Sequence, residues 1–287
     1  MNKWILGARP RTLPAAVVPV AVGTVICVGE AGAVWWRAIL ALLVSLALQI
    51  AVNYANDYSD GVRGTDEVRV GPMRLVGSGA APARQVKLAA MCAFGVAALF
   101  GLVLVIVTTW VILLVGMAAI LAGWFYTGGK NPYGYFGLGE VFVFVFFGLV
   151  ATVGTTYVVL ERMPALSWLM GTSVGCLACA LLVINNLRDI PTDRVVGKRT
   201  LAVRLGDQRT RYLYVALMVL GVLSGTCGAF WNPWLLLVLA TGIFVMLPIS
   251  KVRGGATGAD LIEVLGDTGR SQLILGVLVT VAFIIGG

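Results

Sequence analysis

Two stretches of this 287-residue sequence combine residue types and spacing that suit chemistry: Asn53-Tyr-Ala-Asn56-Asp57-Tyr-Ser-Asp60 and Asn185-Asn-Leu-Arg188-Asp189-Ile-Pro-Thr-Asp193. Asn53 to Asp57, Asn185 to Asp189 and Asp189 to Asp193 are each four residues apart. On a helix each such step rises roughly 6 Å along one face. Gln49 extends the first stripe inward. Four aspartates brought to one cavity repel one another unless cations neutralise them. Mg²⁺ suits that task, because carboxylates and substrate phosphates are its usual ligands. The pattern therefore predicts Asp57, Asp60, Asp189 and Asp193 as metal ligands, with Asn53 and Asn185 orienting them or touching phosphate oxygen.

Cations flank both stripes: Arg63 and Arg74 after the first, then Arg188, Arg194, Lys198 and Arg199 around the second. Positive residues beside acidic metal ligands fit an anionic diphosphate that bridges both sets. Arg offers it a bidentate fork and Lys a point charge. A third segment, Tyr126-Thr-Gly-Gly-Lys130-Asn-Pro-Tyr-Gly-Tyr-Phe-Gly-Leu-Gly-Glu140, places glycines, aromatic rings and one Lys in a short loop. Lys130 is its single base and is expected to meet an acidic group on a second substrate. Glu140 starts a helix, where the dipole favours a carboxylate in any case.

These residues must be held by membrane helices. The chain is 59% hydrophobic and 12% charged, against about 25% charged for a soluble domain, and its mean hydropathy is +0.95. The sequence has no histidine, which excludes His-ligated zinc and Ser-His triads. Its cysteines all fall in apolar runs, so Cys176-x-x-Cys179 reads as packing and not as a redox pair. No apolar run of signal-peptide length precedes Arg9 and Arg11. Apolar runs at 13–29, 38–56, 87–107, 109–126, 138–158, 165–187, 212–230, 233–250 and 271–286 predict about nine transmembrane helices in a single domain over 1–287. With that count, all of the 21 Lys and Arg residues except Arg37 and Arg162 fall on one side. By the positive-inside rule that side is cytoplasmic, and it carries the N-terminus and both acidic stripes. A transporter needs access from both faces, and this layout argues against one. Small-xxx-small pairs such as Gly171/Gly175 and Gly221/Gly225 predict close helix packing.

At this point the chain resembles the UbiA-type intramembrane prenyltransferases. The matching stretches are Arg9-Pro-Arg-Thr-Leu-Pro14, Asn56 to Asp66, Gly71 to Val76, the Tyr126–Glu140 loop and Asn185 through Leu205. The family spaces the aspartates of its first motif by four, whereas Asp57 and Asp60 are three apart here and Asp66 lies further on.

The resemblance implies an all-α bundle of about nine spans with cytoplasmic cap loops, in the plasma membrane. It implies Mg²⁺, a polyprenyl diphosphate donor and an aromatic acceptor, with the lipid bilayer as surroundings and no nucleic acid as partner. The branch it resembles most uses 1,4-dihydroxy-2-naphthoate and loses CO₂, as in menaquinone biosynthesis. Acceptors such as 4-hydroxybenzoate or homogentisate stay open at this level. The site expected from residues and resemblance comprises Asp57, Asp60, Asp189, Asp193 and Lys130 for catalysis. Asn53, Asn56, Arg63, Asp66, Arg74, Tyr126, Asn185, Arg188, Lys198 and Arg199 are expected to bind substrate.

Overall fold

The computed structural model describes residues 2–64 and 74–286, and among them every regular element is helical. In chain order these are α1 (Lys3–Ala8), α2 (Pro14–Val25), α3 (Trp36–Val62), α4 (Ala83–Val107), α5 (Val111–Phe125) and α6 (Gly139–Val143). The π-helical turn Phe144–Val150 joins α6 to α7 (Ala151–Leu160). There follow α8 (Ala165–Val195), α9 (Leu201–Leu205), α10 (Asp207–Cys227), α11 (Thr241–Arg253) and α12 (Asp260–Gly286).

Local chemistry sets the boundaries. The Asn2 side chain caps α1 by accepting from the Trp4 N–H, and Pro14 opens α2, where its missing N–H costs nothing. Asn232 accepts from the Trp234 N–H and starts the 3₁₀ stretch Pro233–Ala240 that runs into α11.

Seven of the described helical stretches are long and apolar enough to cross a membrane: α3, α4, Gly139–Leu160, α8, Asp207–Phe230, Pro233–Arg253 and α12. The nine expected runs and these seven stretches differ at two runs. The first run yields only the 12-residue α2, because the chain turns between Ile26 and Gly29. The fourth yields the 15-residue α5, which starts after the break at Thr108 and stops before the glycine turn at Gly128 and Gly129. At 1.5 Å per residue these reach roughly 18 and 22 Å, short of the ~30 Å hydrocarbon layer.

Helix α8 is the axis of the bundle, with most of its membrane segment enclosed. Its Val174, Leu177 and Ile184 pack into one apolar cluster with Val18 and Val22 of α2, Tyr214 and Met218 of α10, and Leu275 and Val279 of α12. The small-residue pairs work as expected. A Cβ on Gly148 would lie 2.6 Å from the Gly175 Cα, and one on Gly221 would lie 2.0 Å from Leu177 Cδ1. The backbones therefore touch where the π-turn meets α8.

At the end of α3 opposite its aspartates, Arg37 donates to the carbonyls of Val107 and Val158 and pairs with Glu161 at 2.7 Å. Arg162 pairs with Glu30 on the same face. The cationic residues that depart from the positive-inside pattern are thus both neutralised there. Cys176 and Cys179 are buried free thiols, as the packing reading expects.

Candidate active site

Helix α3 carries the first acidic stripe to its C-terminal end and α8 carries the second to its own, so both reach one end of the bundle. Asp57, Asp60, Asp189 and Asp193 are all buried there. Lys198, in the turn after α8, stands between the two sets. Its Nζ lies 3.3 Å from Asp60 Oδ1, and its backbone N–H donates to the Asp193 carbonyl at 2.8 Å. Through Lys198 the two stripes meet at one end of the bundle.

The carboxylates do not pack against each other. Among the described residues no three of them cluster closely enough to form a bare metal cage. Asp57, Asp60 and Asp189 are instead held by cations or N–H and O–H donors, which relieves the repulsion expected of buried like charges. Asp60 accepts from the Tyr135 hydroxyl at 2.7 Å, pairs with Lys198 and faces Arg74 at 3.9 Å. Asp57 accepts from the backbone N–H groups of Leu75 and Val76 at 2.9 and 3.4 Å. Asp189 takes both arms of Arg188, at 2.7 and 2.9 Å, while the same guanidinium reaches Asn185 Oδ1 at 2.7 Å.

The other expected residues divide by role. Asn53 spends both amide hydrogens on the N-terminal segment, donating to the Ala8 carbonyl at 2.9 Å and Thr12 Oγ1 at 3.0 Å. That tie places Arg9, whose backbone is left-handed at φ 53°, within electrostatic range of Asp57. Asn56 accepts from the Thr127 hydroxyl at 2.7 Å. Arg63 donates to the carbonyls of Thr127 and Gly129 and lies 5.3 Å from the Tyr135 ring centre. Both residues thus anchor the 126–137 loop onto α3. Lys198 Nζ lies 4.6 Å from the centre of the same ring, so Tyr135 is gripped by two cations and an aspartate. Lys130 and Arg199 are exposed at the rim, and the Arg199 N–H donates to the Tyr135 carbonyl at 2.9 Å. Asp66 lies outside the described residues.

Tyr126 lines the inner side of the loop, with its ring edge-on to Tyr133. Tyr133 stacks on Phe142, and Phe142 on Phe146. Burial, followed by the charges of Glu140, Tyr133, Asp60 and Asp193, raises the Tyr126 phenol above its ordinary value of 10. It stays a neutral hydroxyl between the acidic ends of the helices and Glu140.

Sequence reasoning left out Arg9, Thr12, Tyr135 and Asn186. The Gly- and Tyr-rich character of the loop was the available signal for Tyr135. Asn186 is next to the second stripe but about 100° around the helix from Asn185, so the four-residue spacing passed over it.

The donors present suit a hard divalent ion: four carboxylates and two amide oxygens, with no thiolate or imidazole close by. Comparison with known proteins gives the same picture. Over 285 residues the chain is 49% identical to the 1,4-dihydroxy-2-naphthoate octaprenyltransferase of Mycobacterium tuberculosis (strain ATCC 25618 / H37Rv), covering 99% of this chain and 97% of that one. The Escherichia coli (strain K12) protein of the same name is 39% identical over 80% of this chain and 76% of its own. Among solved structures, a UbiA homolog from Archaeoglobus fulgidus bound to DMAPP and Mg²⁺ superposes with a TM-score of 0.70 at 16% identity, covering 99% of this chain and 100% of that one. The apo UbiA homolog from Aeropyrum pernix K1 gives 0.71 at 15% identity, covering 99% of both chains. The model of the UbiA prenyltransferase family matches residues 16–258, and this chain belongs to that family.

Proposed function

We propose that this chain transfers a polyprenyl group from polyprenyl diphosphate to 1,4-dihydroxy-2-naphthoate, releasing diphosphate and CO₂ and giving a demethylmenaquinol for menaquinone biosynthesis. The near full-length identity to the mycobacterial octaprenyltransferase carries this reading. The arrangement of acidic and basic residues at one end of the bundle supports it.

In this reading Asp57, Asp60, Asp189 and Asp193 hold Mg²⁺, and Asn53 and Asn185 fix the helix ends that present them. When bound, Mg²⁺ supplies Lewis-acid stabilisation of the departing diphosphate. Lys198 and Arg74 now face Asp60 and Arg188 pairs with Asp189, and each would turn its cationic head to phosphate oxygens as the ion takes over that charge. Arg63, Asn56 and Tyr126 hold the loop that closes the site, with Arg199 and Lys130 at its mouth. Lys130 attracts the acceptor carboxylate on its way into the site. The polyprenyl tail lies along the apolar helices. The allylic carbon bonds to the carboxyl-bearing ring carbon, and loss of CO₂ restores aromaticity. With the shorter α2 and α5 continued by the turns at their ends, the seven long helices become nine passes in one domain. The N-terminus and the site are cytoplasmic in the plasma membrane, and the C-terminus is outside.

The test supplies purified protein and Mg²⁺ with a polyprenyl diphosphate and a panel of aromatic acids. The naphthoate should be prenylated with one CO₂ released per product. Prenylation without CO₂ would move the assignment to a relative that retains its acceptor's carboxyl group.

A further inference from the structure

Glu140 is a membrane-embedded carboxylate that the reading above leaves without a task. It is 8% exposed and stands at the start of α6. Its Oε1 accepts from Asn186 Nδ2 at 3.0 Å. Its Oε2 is buried and has no hydrogen-bond partner. Among the described residues no Lys or Arg forms a salt bridge with it. Leaving a buried carboxylate oxygen unmet costs of order 1–3 kcal/mol, a cost that a ligand hydroxyl placed against it would remove.

The position lies beside Asn186, next to the second acidic stripe. Asn186 and Asp193 are seven residues apart, which sets them on one stripe of α8 roughly 10 Å from each other along the axis. Glu140 thus lies below the acidic helix tips, toward the membrane interior. The Tyr126 hydroxyl is close by, 3.5 Å from where a Cβ on the neighbouring Gly139 would stand. Tyr133 and Phe142 continue an aromatic wall from there. A planar hydroxylated ring seated against that wall brings a hydroxyl to Oε2.

We propose that Glu140 is a catalytic base that takes the proton of the acceptor hydroxyl adjacent to the carbon being prenylated, and returns it when CO₂ leaves. This rests on the naphthoate reading. In the first step the O–H bond pair becomes the second bond of a ring C=O, and the ring double-bond pair forms the new C–C bond. The allylic C–O pair departs with diphosphate, and the proton moves to Glu140 Oε2. The product of that step is a β-keto carboxylate. In the second step the C–COO⁻ pair re-forms the ring double bond, the C=O pair takes the proton back from Glu140, and CO₂ is released. Atoms and charge balance, and Glu140 ends as it began. A role limited to bracing α6 against α8 would need Oε1 alone.

The experiment uses the full chain in lipid nanodiscs with Mg²⁺, a polyprenyl diphosphate and the naphthoate. E140Q keeps an oxygen for Asn186, so its thermal midpoint and its KM for diphosphate should stay near those of the parent, while kcat falls about 10²-fold or more, as for loss of a general base. Ring-substituted naphthoates separate proton transfer from bracing: the ratio of parent to E140Q kcat should shrink as the acceptor hydroxyl becomes more acidic. Should E140Q fail to fold, E140D keeps the carboxylate and should retain measurable turnover with the same trend. A kcat for E140Q within threefold of the parent, or a ratio flat across the acceptors, overturns the proposal and leaves the naphthoate reading standing. A parent chain that prenylates no naphthoate overturns both.

Discussion

Lys198 Nζ lies 3.3 Å from Asp60 Oδ1 across 138 residues of sequence, and this contact joins the end of α3 to the turn after α8. The pair is largely enclosed, with 14% and 5% of the two side chains exposed. Breaking such a pair from one side strands a buried charge. K198A should therefore raise the KM for the diphosphate and cut kcat/KM by about 10-fold to 10²-fold, the scale of one lost charge-assisted contact. K198R should recover part of it. Steady-state kinetics with the diphosphate varied would check this, and an unchanged KM in K198A would exclude the lysine from diphosphate binding.

Asp57 and Asp189 stand at the centres of the two acidic stripes. D57N and D189N each preserve shape while removing a charge. Turnover should drop by at least about 10³-fold, on the scale of a catalytic metal ligand, while both variants insert and elute as the parent does. Mg²⁺-dependent product formation at parental rates in either variant would remove these residues from the metal site.

Gly148 tests the backbone contact beside the π-turn. A Cβ there meets the Gly175 Cα and the Gly171 carbonyl oxygen at 2.6 and 2.8 Å, atoms that cannot swing aside. G148V should cost about 1–3 kcal/mol, seen as a lower thermal midpoint and a smaller folded yield in detergent. G154V, where a Cβ meets nothing within 4 Å, is the matched control.

Alkaline pH should loosen the loop over the site. Burial raises the phenols of Tyr126 and Tyr133 above their ordinary value of 10. In the unfolded chain both lose their protons near pH 10, while the folded chain still holds them. The unfolded state then binds fewer protons, so stability is full below about pH 10 and falls as pH rises further. Thermal midpoints taken from pH 8 to 11 should show that decline, and Y126F and Y133F should each make it shallower.

Much of this arrangement could be read from the sequence, for definite reasons. Apolar runs marked the helices because lipid tolerates little else. The four-residue spacing of Asn53 with Asp57 and of Asn185 with Asp189 marked the ends that matter, because polar stripes inside membranes are costly. Contacts made by folding stayed out of view. Asn53 turned out to fasten the N-terminal segment to α3, which depends on where Ala8 and Thr12 come to rest. Glu140 meets Asn186 only because the π-turn joins α6 to α7 against α8. The short lengths of α2 and α5 followed from turns that apolar residues such as Ile26 and Val28 conceal.

Arg37 gives the far face its own significance. By tying Val107, Val158 and Glu161 together, it fastens the ends of α3, α4 and α7 at the end of α3 opposite the aspartates. Charge gathered at the acidic end thus has, behind it, helix ends already fastened to one another, and the packing there need not shift when ions come and go.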